Sequence, residues 1–482
     1  MPGPLRALLA AVFVTGVAWA LLVPPFQAPD ENSHFGYLQH LGERFELPGD
    51  EQRKLFSTEQ ELARDRSRSD QVAGILERRP QWSQAAEERW RDEQAALPDA
   101  ARGDGGGANP AATNPPLYYL YEAPAYLAGS GGTIVDRLRL ARLWSVLMLL
   151  VTAAATWLLV GELLGPVRPL QLAGAAVAGL QPMVTFMSST VNPDGLLFAL
   201  WSLAIWLGVR ILKRGLALPD AVALFAVVGL AVATKASSYA LVPAALVVLG
   251  VAVARRRGGG HPRPAVIAAA AVLAFAAPAL GWVVTAGALD RPAVNEVATA
   301  PGRESPSLTS FNVRELGSYL WQFYLPRLPF QRSFGGLPDY PVWTIWHKTG
   351  WAAFGWLEVR FPPWVYALLA MATLAALGGA ALLVLRRRRA VDPAVVAFLA
   401  TAVLALLAGL HWTEFRTLVG GTGPFNQGRY LLPLVSLMAA AVSAALALLA
   451  PRLRAFGVAT VLGGMFALQA FSLAVVAVRF YA

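Results

Sequence analysis

Apolar residues in this chain fall in long unbroken stretches, without the alternating or 3.6-residue patterns of a water-facing domain. Reading for runs that can cross roughly 30 Å of hydrocarbon predicts about eleven membrane helices. They lie near residues 5–23, 138–160, 170–187, 196–211, 221–233, 239–254, 265–285, 365–385, 395–410, 430–450 and 455–478. The fifth run is short, so it and its neighbour are expected to form a tilted or broken hairpin around residues 234–239. Such a break survives at depth where protein or a water-filled cavity satisfies the backbone. The first run follows Arg6 and ends near Ala18-Trp19-Ala20, which resembles a cleavage site. The polar sequence behind it reads as part of a catalytic unit, so the run is expected to remain as a helix.

Two long polar segments, 24–136 and 286–364, interrupt the pattern. The first is expected to be helical over 51–96, to break flexibly at the glycines of 103–107, and to resume at Asn114-Pro115-Pro116-Leu117-Tyr118-Tyr119-Leu120-Tyr121. That stretch is too short and aromatic to span and reads as a helix lying in the membrane interface. The second segment carries Trp343, Trp346, Trp351, Trp356 and Trp364, read as an interfacial belt before sugar-stacking platforms.

Composition agrees: 56% of residues are hydrophobic and 15% charged, against about 45–50% and about 25% in soluble domains. The absence of Cys excludes disulfides and thiolate metal sites. A net charge of +10 raises nucleic acid as a partner, yet much of it lies in arginine runs, Arg255 to Arg257 and Arg386 to Arg389, that abut apolar segments. That placement is a topology signal. With the N-terminus inside, inner loops collect about fourteen Lys and Arg and short outer segments about four. Both polar segments then fall on the outer face of a bacterial plasma membrane.

Chemistry concentrates directly after the first run, in Pro24-Pro25-Phe26-Gln27-Ala28-Pro29-Asp30-Glu31-Asn32-Ser33-His34. Prolines hold an extended approach, and two carboxylates and an imidazole follow within five residues of sequence. Asp30 in a bland role caps a helix that begins at Glu31. Asp194, Lys235 and Arg429 recur at expected outer helix ends, where ionisable groups are costly and so are site candidates. Singly they read as a helix cap, a snorkelling cation and a headgroup contact. The scattered His40, His261, His347 and His411 form no evident metal site.

Taken in order, Pro29-Asp30-Glu31 with His34, Asn114 to Tyr119, Asn192-Pro193-Asp194, Thr234-Lys235, Phe354-Gly355-Trp356-Leu357-Glu358 and Gln427-Gly428-Arg429-Tyr430 with Pro433 resemble family 2142 of the domains of unknown function. That family is similar to the GT-C glycosyltransferases, which include protein O-mannosyltransferases and lipid A aminoarabinose transferases. Glu358 departs from the Asp more usual at its position. The resemblance implies an all-α, GT-C-like bundle that moves a sugar from a polyprenyl-phosphate donor to a glycan or lipid acceptor in cell-envelope assembly; with the arginine runs read as a topology signal, no nucleic-acid partner is expected. It implies Asp30 as the catalytic base with Glu31 as its alternate, His34 and Asp194 in support, and Lys235, Arg429 and Tyr430 around the donor phosphate. Inversion at the anomeric carbon is carried over from the superfamily. No cofactor is implied for a monophosphate donor, while a divalent cation stays open because relatives that use diphosphates take one. Two other readings remain: a ligase or polymerase of lipid-linked oligosaccharides, and a lipid-sugar flippase or transporter, although no repeated halves are evident.

Overall fold

In the computed structural model each of the expected apolar runs is helical, as a segment that satisfies its own backbone groups must be when no water is at hand. The structure describes all residues but 50–51, 80–81, 108, 256–263, 291–292 and 294–302. Of the residues singled out above, Arg256, Arg257 and His261 lie outside the described residues. In chain order the helices are α1 (Gly3–Leu22), α2 (Glu31–Arg44), α3 (Thr58–Ser67), α4 (Ser69–Val72), α5 (Gln84–Ala95), α6 (Leu117–Ala128), α7 (Ile134–Leu164), α8 (Arg168–Leu180), α9 (Pro182–Met187), α10 (Asp194–Arg214) and α11 (Leu218–Val232). There follow α12 (Leu241–Arg255), α13 (Pro264–Ala288), α14 (Val313–Tyr324), α15 (Thr349–Trp351), α16 (Pro363–Arg386), α17 (Pro393–Val419), α18 (Val435–Ala447) and α19 (Pro451–Tyr481).

Among the described residues nine helices are long and apolar enough to cross a membrane, so the chain is a multi-pass membrane protein. The expected count of eleven is not reached because two runs are short or broken. Helix α11 has 15 residues. The 170–187 run divides into α8 and α9 at Gln181-Pro182, where proline lacks the N–H that would continue the ladder. Side chains answer groups that the break frees. The Gln181 side chain accepts from Val184 N–H at 2.7 Å, and Gln469 of α19 donates to the Leu180 carbonyl at 2.9 Å. Helix α10 is central, with 83% of its most apolar stretch buried, whereas α16 has 11% buried and presents its apolar surface outward.

Helices α2 to α6 fill the first polar segment. The expected helix over 51–96 is instead three pieces: Arg68, with a left-handed φ of 54°, divides α3 from α4, and α5 starts only at Gln84. Glu59 ties the pieces together: it is buried and accepts from Gln39 at 2.7 Å, from Gln94 at 2.7 Å and from Arg137. The glycines of 103–107 are not a flexible break. Gly105 pairs with Lys54, and a Cβ there would stand 2.2 Å from the Ser57 nitrogen. The glycines serve close approach.

Opposite ends of the bundle differ in charge. At one end Arg214 pairs with Glu162 and Arg255 with Asp392, and Arg386 closes α16 with Arg387 to Arg389 directly after it. The other end holds both polar segments and the site.

Candidate active site

Pro24 and Pro25 lead from α1 into a turn whose geometry is set by two left-handed residues, Phe26 at φ 60° and Asp30 at φ 61°. A positive φ is costly for a side chain as large as Phe26, so the surrounding contacts must impose it. Those contacts are the Glu31 carboxylate, which accepts from Phe26 N–H at 3.2 Å, and the Trp356 indole, which donates to the Phe26 carbonyl at 3.4 Å. Asp30 precedes α2, yet its side chain makes no capping hydrogen bond. It accepts from Arg429 Nη2 at 2.7 Å instead.

Arg429 is delivered by the Gln427-Gly428-Arg429-Tyr430 turn at the entry to α18. Gly428 is required by packing: a Cβ would lie 2.2 Å from the Gly350 nitrogen, where the second polar segment crosses the turn. Its N–H donates to Thr349 Oγ1 at 2.6 Å. The Arg429 side chain is buried, and its Nε and Nη1 have no hydrogen-bond partner among the described residues. Tyr430 lies between two cations, 5.2 Å from Arg429 and 5.2 Å from Lys235 by ring centroid, and is stacked on Phe425 at 5.0 Å.

Lys235 follows the end of α11 and contacts Asp194 at 2.5 Å; Asp194 opens α10 and leaves Oδ2 buried without a partner among the described residues. Asn192 joins this pair to the Asp30 turn, donating to the Pro29 carbonyl at 3.2 Å and accepting from Asp194 N–H at 3.0 Å. His34, one helical turn beyond Asp30, bonds Tyr119 Oη at 2.8 Å. Thus the Asn-Pro-Pro-Leu-Tyr-Tyr stretch sets the imidazole. Burial lowers His34 to about 4, and Asp30, Lys235, Asp194 and Arg429 all act on it electrostatically. Burial works to raise the Asp30 carboxyl, but the Arg429 guanidinium, helped by His34 and Lys235, more than offsets this and holds it below its ordinary value. The Asp30 side chain remains 47% exposed, so it is open to a ligand.

Asp30, His34, Asp194, Lys235, Arg429 and Tyr430 therefore share one neighbourhood. Glu31 points away from it, into a bidentate pair with Arg142 at 2.7 and 2.5 Å. Glu358 is also apart: it is buried against Arg479 of α19 at 3.4 Å, and that arginine also donates to the Ile75 carbonyl at 2.9 Å. Sequence reasoning missed two residues. Arg142 was signalled by its place inside the 138–160 run, where an arginine needs a partner. Glu414, which accepts from the N–H groups of Phe425 and Asn426 at 2.6 Å each and so shapes the approach to Arg429, gave the same signal more weakly. Among the described residues no group of three or more His, Cys, Asp or Glu side chains converges to hold a metal ion.

The model of a family described as "Predicted membrane protein (DUF2142)" matches residues 13–438. Among curated proteins none matches. Among solved structures the chain is similar to ArnT from Cupriavidus metallidurans bound to undecaprenyl phosphate, with 13% identity and a TM-score of 0.45. For the apo state of the same protein the values are 14% and 0.46, and each alignment covers 98% of this chain and 74% of that one.

Proposed function

The chain belongs to the DUF2142 family of membrane proteins, and we propose that it is a GT-C-type glycosyltransferase that moves a sugar from a polyprenyl-phosphate donor to a glycan or lipid acceptor. The observation that carries this reading is the Arg429 guanidinium, buried, with one nitrogen on Asp30 and two without partners. A phosphate oxygen is the acceptor such a fork takes, and Lys235 beside it adds a point charge. The two carboxylates and two cations balance, so the donor phosphate gains its cations by displacing Asp30 and Asp194 from them. Displacement relieves Asp30 of the charge that depresses its pKa, and a stronger base results as the donor arrives.

Asp30 then takes the proton of the acceptor hydroxyl while that oxygen attacks the anomeric carbon. The bond from that carbon to the phosphate oxygen breaks, and the electron pair leaves on the polyprenyl phosphate, held by Arg429 and Lys235. A single displacement inverts the anomeric centre. Glu31 acts through its pair with Arg142 as a positioning residue, and His34, neutral near pH 7, orients the Asp30 turn.

The test is a panel of radiolabelled polyprenyl-phosphate sugars offered to purified wild-type and Asp30→Asn protein with membrane and wall glycans as acceptors. One donor is expected to be consumed by the wild type, with a loss of about 10²–10⁴ in rate for the variant. Near wild-type turnover in the variant would remove Asp30 from catalysis. The arginine asymmetry supports an outward-facing site in the plasma membrane. Cysteines introduced at the exposed Ala85 and Ala390 are expected to label from outside intact cells at 85 alone; labelling at 390 alone reverses the orientation.

A further inference from the structure

Beyond the Asp30 cluster, residues 303–335 and the end of α17 enclose an open cleft of about 730 Å³, within the size range of ligand pockets. Arg303, Arg314 and Arg332 line it against one carboxylate, Glu315. Arg303 reaches the Val419 carbonyl at 3.5 Å. The guanidinium groups of Arg314 and Arg332 have no ion pair or hydrogen bond among the described residues. Two unpaired forks in a concave wall are an anion-binding feature.

The remaining wall is aromatic and polar. Trp321 is 41% exposed and its indole N–H donates to the Pro326 carbonyl at 3.0 Å, so the ring is held while its surface stays open; Phe330 is 83% exposed. Fixed aromatic surface beside hydrogen-bonding groups suits a sugar ring, which has an apolar face and a polar rim.

The cleft also connects to the catalytic cluster. Leu418 and Val419 line it at the end of α17, and the chain runs from there through residues 420–427 to Arg429. Glu414 pins this connection through Phe425 and Asn426, and Gly336, next to the cleft wall, packs on Pro424.

We propose that this cleft binds the acceptor and that the acceptor is an anionic glycan bearing carboxylate or phosphate groups. The assignment of the ligand as acceptor rests on the transferase reading, whereas the binding site does not. A lipid headgroup needs charge alone, and a concave wall with an anchored indole is more than that requires.

The experiment measures binding of trigalacturonate and of neutral maltotriose to full-length protein in phosphatidylcholine nanodiscs. Trigalacturonate is expected to bind at least about tenfold tighter, as one or two charge-assisted hydrogen bonds imply. The exposed pair Arg314→Gln and Arg332→Gln should erase that preference, Arg→Lys at both should retain part of it, and Asp30→Asn should keep it. Equal binding of the two sugars, or an unchanged preference in the double Gln variant, overturns the proposal. So does loss of trigalacturonate binding in phosphatidylglycerol nanodiscs, which would assign the arginines to lipid headgroups. If trigalacturonate binds as expected while no donor sugar is ever turned over, the transfer reading fails and the anionic-glycan site stands.

Discussion

Asp30 and Glu31 are adjacent carboxylates, each facing a buried arginine, and the two pairs differ in what remains unused. Glu31 Oε1 accepts from Arg142 Nε at 2.7 Å and from Val191 N–H at 3.1 Å, while Oε2 accepts from Arg142 Nη2 at 2.5 Å and from Phe26 N–H at 3.2 Å. Arg142 spends its other N–H groups on the carbonyls of Ala20, Val23 and Pro24. Nothing is left over for a ligand. At Asp30 a single bond joins the pair, the carboxylate is half open, and two guanidinium nitrogens are unmatched. A saturated buried pair is a strut; an unsaturated one stores unmet polar demand that a charged ligand can meet.

The largest expected effect that separates the two is on stability. Glu31→Gln leaves the Arg142 charge buried without a counter-charge and should cost about 3–5 kcal/mol. Thermal unfolding in detergent should show a larger fall in Tm for Glu31→Gln than for Asp30→Asn, because the Asp30 side chain is half exposed and gives up a single bond. Equal Tm values for the two would erase the distinction.

Next comes Arg429→Lys, which keeps the charge and loses the fork. Donor KM should rise by about ten- to a hundredfold with a smaller change in kcat, since bidentate contact to phosphate is lost. A wild-type KM would mean that the unmatched nitrogens meet no phosphate.

The smallest effect is a pH dependence, and it sharpens the claim that Arg429 is the close cation of Asp30. His34 titrates at about 4 instead of 6.5 because burial disfavours its charged form. Between those values the unfolded chain binds more protons, so this contribution is full above about pH 6.5 and is lost as pH falls toward about 4. The slope of Tm against pH over that window should flatten in His34→Gln. An unchanged slope would show that the imidazole is not buried and neutral beside Asp30.

Much of the fold is legible in hydropathy, because a run such as 365–385 has no other way to satisfy its backbone in lipid. What hydropathy misses is local. The break at Gln181-Pro182 and the turn at Arg68 depend on single residues and on partners far along the chain, such as Gln469. The glycines of 103–107 look flexible in sequence because the neighbours that crowd them, Ser57 and His40, are distant in it. At the site, the motif residues that meet around Tyr430 could be singled out by type and position. Dividing labour between Asp30 and Glu31 could not be read the same way. It depends on Arg142, 111 residues from Glu31, and on counting every hydrogen bond each carboxylate already has.

The Glu31–Arg142 strut also bears on how the protein is made. Ribosomes deliver the chain from its N-terminus, so α1 and the turn after it exist before α7 emerges. Arg142, the charged residue of α7 that lies deepest before its long apolar stretch, thus emerges when its carboxylate and the three carbonyls of residues 20, 23 and 24 have already been synthesised. The end of α1 and the turn that follows it thus form a ready receptor for Arg142: every partner that its guanidinium needs precedes it in the order of synthesis.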